Sequence, residues 1–213
     1  MLRLGLTMRC ARAEGYDEPR DALARDWQDF MAFALPEARW LPIPNIGAEA
    51  AAYADDLGLE GVIFTGGDDL GAEPRRDATE QALAGYLEAH GLPAFGVCRG
   101  LQFLQVAAGG TLAAEPLDGH VATRHRLRLV DGAGRPGASI EVNSYHRNGV
   151  RLEALARPYQ ALAVTDDGLV EAFRDEARRC LAVMWHPERE RPFSAFDRRL
   201  VRDLFLTRLG VVA

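Results

Sequence analysis

The sequence predicts an α/β fold, in which helices cover an open, mainly parallel sheet that carries a small antiparallel extension. Three observations support this prediction. Apolar runs alternate with longer amphipathic stretches through the first half of the chain, the pattern changes to alternating strands after Gly110, and hydrophobic residues make up 48% of the sequence. Strands that alternate with helices are typical of parallel sheets. Because the chain has 213 residues, we expect residues 1–213 to form a single domain.

Each apolar run of the first half predicts a strand, and each amphipathic stretch predicts a helix. We expect strands at residues 2–6, 40–43, 61–65 and 94–97, and helices at residues 20–35, 73–90 and 101–108. In the first helix, apolar residues at spacings of three and four form one face that should pack on the sheet: Leu23, Trp27, Phe30, Met31 and Ala34.

The second half predicts a hairpin, further strands and a closing helix. Strand-like segments at 126–130 and 140–142 flank a Gly- and Pro-containing turn at 132–137. Additional strands are expected at 161–164, 169–173 and 181–184. The closing helix should run from about Ser194 to Leu209, with the Ser194 hydroxyl as its N-cap.

Composition excludes several classes of function. A net charge of −6 argues against nucleic acid or an anionic membrane as the main partner, because both require a positive surface. The sequence contains no lysine, so lysine Schiff-base chemistry is excluded. Three cysteines without the spacing of a disulfide scaffold suggest a reducing, cytoplasmic setting. The N-terminal apolar run is too short for a signal peptide or a membrane span.

Gly96-Val97-Cys98-Arg99-Gly100 lies between a predicted buried strand and a predicted helix. This arrangement is typical of a nucleophile elbow, with cysteine in place of serine. The helix N-terminus would stabilise a thiolate at Cys98, while the Arg99 side chain could add positive charge or point to solvent. The alternative is that Cys98 is a small buried apolar residue. Cys10 and Cys180 lack such a context, and we interpret them as structural or incidental.

A cysteine nucleophile requires a base, and His186 is the best candidate. It follows the predicted strand at 181–184, at the sheet edge where open α/β folds bind ligands. Glu188, two residues further on, could bond the second imidazole nitrogen and orient the ring. Taken alone, His186-Pro187-Glu188 could equally be a capped strand end.

Acyl chemistry also needs hydrogen-bond donors aimed at the developing oxyanion. Gly66 and Gly67 follow the predicted strand at 61–65. The backbone N–H groups of Gly67 and Arg99 could together form the oxyanion hole. An ordinary Gly-Gly turn is the simpler alternative.

Four segments carry a family resemblance: Gly-Val-Cys-Arg-Gly-Leu-Gln at 96–102, Thr-Gly-Gly-Asp at 65–68, Val-Asn-Ser-Tyr-His at 142–146 and Trp-His-Pro-Glu at 185–188. Together they resemble class I glutamine amidotransferase domains, particularly their γ-glutamyl hydrolase branch. The resemblance implies a flavodoxin-like domain and a catalytic triad of Cys98, His186 and Glu188. It also implies a γ-glutamyl thioester that is hydrolysed to glutamate.

The resemblance extends to the substrate pocket. It implies that Gln102 and the backbone of Ser144 and Tyr145 hold the α-amino and α-carboxylate groups of the glutamyl substrate. We place Asn143 and His146 in the same pocket. Two departures concern substrate identity: the chain is shorter than the usual γ-glutamyl-γ-aminobutyrate hydrolases, and Gln105 stands where their helix commonly carries asparagine.

The N-terminal segment resembles a different subgroup. Residues 16–23 with Asp26 and Trp27 are similar to γ-glutamyl-CDP-amidate hydrolases of capsule phosphoramidate synthesis. We therefore expect Arg9 and Arg20 to meet the leaving group, since a guanidinium matches the geometry of a phosphate.

The remaining histidines and a row of arginines need separate interpretation. His120, His125 and His146 could suggest a metal site, but no acidic or cysteine residue lies at metal-like spacing from them, so we expect no metal and no cofactor. Arg124, Arg126 and Arg128 should form one solvated strand face, since side chains alternate along a strand. Contact with a phosphate-bearing leaving group is the minority interpretation.

Three functions remain open. The first is a stand-alone hydrolase of a γ-glutamyl amide, with the CDP-amidate or a γ-aminobutyrate conjugate as substrate. The second is a glutaminase subunit that passes ammonia to a synthase partner, and the third is a non-catalytic scaffold. The motifs leave the oligomeric state undetermined.

Overall fold

The structure is a computed structural model that describes residues 1–113, 117–131 and 135–207. Eleven strands lie in these ranges: β1 Arg3–Thr7, β2 Arg9–Arg12, β3 Pro19–Ala22, β4 Arg39–Ile43, β5 Val62–Phe64, β6 Ala94–Val97, β7 Val121–Val130, β8 Pro136–Tyr145, β9 Gln160–Val164, β10 Val170–Asp175 and β11 Cys180–Val183. The α-helices described are α1 Asp26–Ala34, α2 Ala50–Asp56, α3 Pro74–His90, α4 Arg99–Ala107 and α5 Ala195–Leu206.

Within the described ranges, nine strands form one mixed sheet in the order β4-β1-β5-β6-β11-β10-β9-β7-β8. The strands from β4 to β11 run parallel. From β11 onward each strand is antiparallel to its neighbour. The predicted parallel sheet with an antiparallel extension is therefore confirmed. β2 and β3 form a separate two-stranded sheet.

Helices cover both faces of the parallel part because its strands are apolar on both sides. Along β6, Phe95 and Val97 pack in the cluster that contains α1 and α5. Ala94 on the same strand packs in the cluster that contains α2, α3 and α4. The same alternation occurs in β11, where Leu181 and Val183 face α1 and α5. The sheet is thus held between two apolar layers.

The first predicted helix is wrong at its start. Residues 19–22 form β3, which pairs antiparallel with β2, and α1 begins at Asp26. Pairing with β2, across the short connection at residues 13–18, satisfies the backbone hydrogen bonds that a helix would otherwise provide. The apolar face is confirmed for Trp27, Phe30, Met31 and Ala34, which are buried. Helix α2 was not predicted.

The hairpin β7–β8 is longer than predicted, with ten residues in each strand. Of the predicted turn at 132–137, residues 132–134 lie outside the described residues. Arg124, Arg126 and Arg128 are exposed, as expected for one solvated face.

The Ser194 hydroxyl accepts hydrogen bonds from the N–H groups of Phe196 and Asp197, so the predicted N-cap of α5 is confirmed. The predicted helix end at Leu209 lies outside the described residues.

Among the helices described, none has both the length and the apolar character needed to cross a membrane.

Candidate active site

Cys98 occupies the sharp turn between β6 and α4. Its backbone has φ 52° and ψ −105°, a conformation that non-glycine residues rarely adopt. A Cβ atom on Gly100 would lie 2.0 Å from the carbonyl oxygen of Phe64, so the following turn of the helix passes too close to β5 for a side chain. Helix α4 begins at the next residue, which places the Cys98 sulfur at a helix N-terminus. The predicted elbow is present.

His186 follows β11 and is oriented by Glu188. The His186 Nδ1 atom lies 2.7 Å from Oε1 of Glu188, because a 3-10 turn at Pro187–Arg189 folds the carboxylate back toward the ring. Both side chains are buried. Burial alone would lower the pKa of His186, but the neighbouring Cys98 sulfur and Glu188 carboxylate outweigh it and raise the pKa to about 9.

Gly66 leaves the space that the imidazole occupies. A Cβ atom on Gly66 would lie 2.7 Å from Cε1 of His186. Gly67, next in the chain, adopts φ +131°, a region that favours glycine. Both glycines of the loop after β5 are therefore required: Gly66 leaves room for the His186 ring, and Gly67 allows the positive φ of the backbone.

The predicted oxyanion donors Gly67 and Arg99 line the same cavity as Cys98. The Arg99 side chain is 1% exposed and pairs with Glu80 and Asp77. It therefore points neither to solvent nor to the sulfur, and its charge is neutralised. Only its backbone N–H remains as a candidate donor.

Arg76 and Glu80 support this region and were not predicted. The guanidinium of Arg76 is fully buried and donates to the carbonyl oxygens of Thr65 and Gly66 at 2.8 and 3.1 Å. It also pairs with Glu80 at 3.1 Å, and Glu80 accepts a hydrogen bond from Thr7 Oγ1. The spacing of four residues on α3 was a weak signal for this pair. Their burial depends on strands β1 and β5.

The cavity at Cys98 gathers several of the residues predicted to bind substrate. Its lining consists of Gly67, Asp69, Cys98, Arg99, Gln102, Val121, Tyr145, His146, Arg147 and Asn148. Tyr145 lies edge-on to His186, with 5.7 Å between the ring centroids. A larger cavity between α3, α4 and Tyr159 contains no part of the elbow or of His186. We therefore take the smaller cavity as the candidate site.

Asn143 and Ser144 have other roles than the predicted pocket contacts. The Asn143 side chain accepts from the His186 N–H at 2.9 Å and donates to the His186 carbonyl at 2.9 Å. It therefore holds the backbone of the candidate base. Ser144 is buried and donates from Oγ to the His120 carbonyl at 2.6 Å. Neither residue lines the cavity in the described part of the chain, although Tyr145 does.

Arg9 and Arg20 lie on the small β2–β3 sheet. The Arg9 side chain is half exposed, and its Nη2 lies 3.6 Å from Asp68 Oδ1. A Cβ atom on Gly67 would lie 2.7 Å from Arg9 Cβ, so Arg9 adjoins the loop that carries the candidate oxyanion donor. Arg20 instead contacts Tyr16 and Glu18 within the same small sheet and its turn. The structure therefore places Arg9 closer to the candidate site than Arg20.

His146 belongs to a buried cluster that sequence spacing did not reveal. Its side chain is fully buried, and it meets His120, His125 and Glu171, whose potential ligand atoms lie within 4.8 Å of one another. No acidic residue lies at metal-like spacing from the histidines in the sequence, but β10 brings Glu171 to them in the fold. A glutamate inside the apolar run of residues 169–173 was the available signal.

The other cysteines lack the features of a nucleophile. Cys180 is buried on β11, and burial raises the pKa of its thiol to about 12. Cys10 is half-buried on β2, and burial beside Glu73 raises its pKa as well. Neither thiol favours the reactive thiolate.

The sequence was also compared with known proteins. Residues 5–188, which include Cys98, His186 and Glu188, match the family model of peptidase C26. The chain belongs to the peptidase C26 family.

Two proteins with named activities are similar in sequence to this chain. The γ-glutamyl-γ-aminobutyrate hydrolase of Escherichia coli O157:H7 is 32% identical over 188 residues, covering 74% of this chain and 72% of that protein. The γ-glutamyl-CDP-amidate hydrolase of Campylobacter jejuni is 25% identical over 193 residues, covering 88% and 90%. Together with the family match, these similarities confirm the resemblance to class I glutamine amidotransferases and their γ-glutamyl hydrolase branch.

A solved structure supports the fold independently. The glutamine amidotransferase of Thermotoga maritima superimposes with a TM-score of 0.63 at 12% identity, covering 95% of this chain and 82% of that one. At this identity the likeness concerns the fold alone, and it confirms the predicted amidotransferase-like architecture.

Proposed function

We propose that this peptidase C26 member hydrolyses a γ-glutamyl amide through a thioester on Cys98, with His186 and Glu188 completing a catalytic triad. The observation that carries the proposal is the His186 imidazole, which is held 2.7 Å from Glu188 and adjoins the strained Cys98 turn at the start of α4. A nucleophile, a base and an orienting carboxylate in this order fit acyl transfer.

In the resting site, a His186 with a pKa of about 9 is protonated at neutral pH. The imidazolium and the N-terminus of α4 both place positive charge next to the Cys98 sulfur. The thiolate attacks the γ-carbonyl carbon of the substrate. The carbonyl oxygen then becomes an oxyanion, for which the N–H groups of Gly67 and Arg99 are the donors.

Collapse of the tetrahedral intermediate breaks the C–N bond. His186 gives its proton to the leaving amine, and a γ-glutamyl thioester remains on Cys98. His186, now neutral, takes a proton from a water molecule, whose oxygen attacks the thioester. Glutamate leaves, and the Cys98–His186 ion pair is restored.

The glutamyl half of the substrate fits the cavity lined by Gly67, Gln102 and Tyr145. Gln102 is buried, and its Nε2 donates to the carbonyl of Asn148 at 3.1 Å. This bond fixes the amide so that its oxygen can accept from the substrate α-ammonium group. The backbone of Tyr145, which lines the cavity, would hold the α-carboxylate.

For the leaving group, we favour a γ-glutamyl-CDP-amidate. Alignment with the Campylobacter jejuni hydrolase covers nearly the whole of both proteins. Arg9 also lies beside the Gly67 loop with a half-exposed guanidinium. The γ-aminobutyrate conjugate is the second candidate, since the Escherichia coli hydrolase is more similar in sequence over a shorter segment. Three unpaired cysteines fit a reducing, cytoplasmic setting.

A substrate panel tests the proposal. The purified protein should release glutamate from the γ-glutamyl-CDP-amidate with a higher kcat/KM than from γ-glutamyl-γ-aminobutyrate or glutamine. A higher kcat/KM for the γ-aminobutyrate conjugate would make the second candidate correct. Preference for glutamine would favour a glutaminase subunit that serves a synthase partner.

Arg9 provides the matched test of leaving-group recognition. Arg9→Ala should lower kcat/KM for the CDP-amidate by an amount that corresponds to roughly 1.5–3 kcal/mol of lost transition-state stabilisation, the value of a charge-assisted hydrogen bond. The loss for glutamine should be much smaller. Arg20→Ala, on the same small sheet, should have the smaller effect. An equal loss on both substrates would show that Arg9 does not recognise the phosphate.

A further inference from the structure

Four side chains, two of them fully buried, converge next to the candidate active site without taking part in the proposed reaction. His120 lies in the turn before β7, His125 on β7, His146 after β8 and Glu171 on β10. The side chains of His146 and Glu171 are fully buried, and those of His120 and His125 are 13% and 16% exposed. Their nitrogen and carboxylate atoms lie within 4.8 Å of one another.

The inward-facing atoms of this cluster contact one another closely, but without the geometry of good hydrogen bonds. Nε2 of His125 and Nε2 of His146 lie 3.3 and 3.2 Å from the two carboxylate oxygens of Glu171. Within the described residues, none of these four atoms makes a hydrogen bond of acceptable geometry, and Nδ1 of His120 is buried without such a bond. Buried polar atoms left unsatisfied cost several kcal/mol in total. An ion bound between them would satisfy all of them at once.

The outward-facing nitrogens are positioned as in metal sites. Nδ1 of His146 donates to the carbonyl oxygen of Asn148 at 3.1 Å, which leaves the lone pair on Nε2. Nε2 of His120 lies 3.5 Å from the Asp167 carboxylate, which leaves the lone pair on Nδ1. In known sites, a histidine ligand donates its second N–H to a carbonyl or carboxylate, and this fixes the tautomer and the ring orientation.

The distances are close to those of a tetrahedral zinc site. With zinc–ligand bonds of about 2.0–2.1 Å, neighbouring ligand atoms lie about 3.4 Å apart and the centroids of neighbouring rings roughly 5 Å apart. The two histidine–carboxylate distances are already 3.2 and 3.3 Å. His120 has centroid distances of 5.0 Å to both His125 and His146, while those two rings are 6.2 Å apart. A contraction on the order of 1 Å would complete the site.

We propose that His120, His125, His146 and Glu171 bind one zinc ion in a structural site. Three imidazoles and one carboxylate suit Zn²⁺, which prefers four ligands in a tetrahedron. The cluster is enclosed, so the ion would join β7, β8 and β10 rather than meet substrate. His146 follows Tyr145 in the chain, and Ser144 bonds the His120 carbonyl, so the ion would also stabilise the cavity wall.

Metal content of the purified protein tests this proposal without any assay of turnover. Protein stripped with a chelator and then incubated with Zn²⁺ should retain about one equivalent by elemental analysis, and its Tm should rise. Failure of the stripped wild type to take up zinc would overturn the proposal and leave the cluster as a buried polar network. This measurement of zinc uptake depends on no variant and on no particular reaction at Cys98.

Variants then assign the ligands. His125→Ala and Glu171→Gln should lose zinc, whereas His90→Asn, which removes a histidine at the end of α3, should retain it. Asp167→Asn should weaken zinc binding by about tenfold or more, while the adjacent Asp166→Asn should not. Circular dichroism establishes that each variant is folded. Unchanged zinc affinity in folded Glu171→Gln and His125→Ala would contradict the assignment.

Discussion

At the scale of single residues, the site depends on how Glu188 acts on His186. Burial lowers the pKa of the imidazole, and the Cys98 sulfur and the Glu188 carboxylate together raise it, while the carboxylate also orients the ring through Nδ1. His186→Ala should remove turnover almost entirely, because neither the leaving amine nor the water would have a proton-transfer partner. Glu188→Gln should lose less, since an amide still bonds the ring.

The pH dependence of kcat/KM distinguishes these roles. The protonated His186 is required as general acid, so activity should fall as the pH rises through about 9. In Glu188→Gln the raising effect of the carboxylate is absent, so this fall should occur at lower pH. A fall near the ordinary histidine value of 6.5 in the wild type would contradict the raised pKa.

At the scale of elements, Arg76 on α3 fixes the loop after β5 by bonding the carbonyls of Thr65 and Gly66. Arg76→Ala should lower the free energy of unfolding by about 3–5 kcal/mol, because Asp68 and the buried Glu80 each lose a partner. Activity per folded molecule should also fall as Gly67 loses its position. Urea unfolding and kcat/KM measure the two effects.

The exposed neighbour Arg75 is the matched control for this substitution. Arg75→Ala removes an arginine side chain of the same kind, but an exposed one, from the preceding position on α3. It should change neither the free energy of unfolding nor kcat/KM appreciably. Equal stability of the Arg76 and Arg75 variants would show that the buried network does not hold the loop.

The elements that local sequence determines were predictable, and those set by distant partners were not. The elbow at Cys98 and the turn at His186 each lie within a few residues, where glycine spacing and a strand end are visible in the sequence. The exception is the local hairpin of β2 and β3, which was missed because its two strands carry too few apolar residues to show a period of two. Asn143 was placed in the pocket, yet its side chain bonds the backbone of His186, 43 residues away. Periodicity gives no sign of such contacts.

At the scale of the whole molecule, the parallel strands bring the parts of the site to one edge. β5, β6 and β11 are neighbours in the sheet, and each ends just before a loop that carries Gly66 and Gly67, Cys98 or His186. The carboxyl edge of parallel strands is where open α/β sheets bind ligands. The antiparallel strands then add Tyr145 and the histidine cluster as a wall.

The global stability should carry a pH signature from Asp197 on α5. Burial, together with Glu190 and Glu188, raises the pKa of its carboxyl to about 7, although the Trp185 N–H opposes this. The folded state thus binds the proton more tightly than the unfolded state, whose pKa is near 3.8. Stability from this group is present at low pH and is lost as the pH rises through about 7.

Asp197→Asn should remove the loss of stability at high pH, because an amide does not ionise. The asparagine keeps a side-chain oxygen that can accept the hydrogen bond from the Trp185 N–H. The Tm of the variant minus the Tm of the wild type should therefore be larger at pH 8 than at pH 5. Thermal unfolding at the two pH values measures it. A difference that is the same at both would show that Asp197 does not titrate in this range.

The thioester on Cys98 is the central claim, and intact-protein mass spectrometry during turnover of a γ-glutamyl amide tests it most directly. Wild-type protein quenched in acid should carry one γ-glutamyl group, which peptide mapping places on Cys98. Cys98→Ala should carry none and should lose turnover by several orders of magnitude, whereas Cys180→Ala should behave as the wild type. Substantial turnover by Cys98→Ala, or acylation at another residue, would contradict the account.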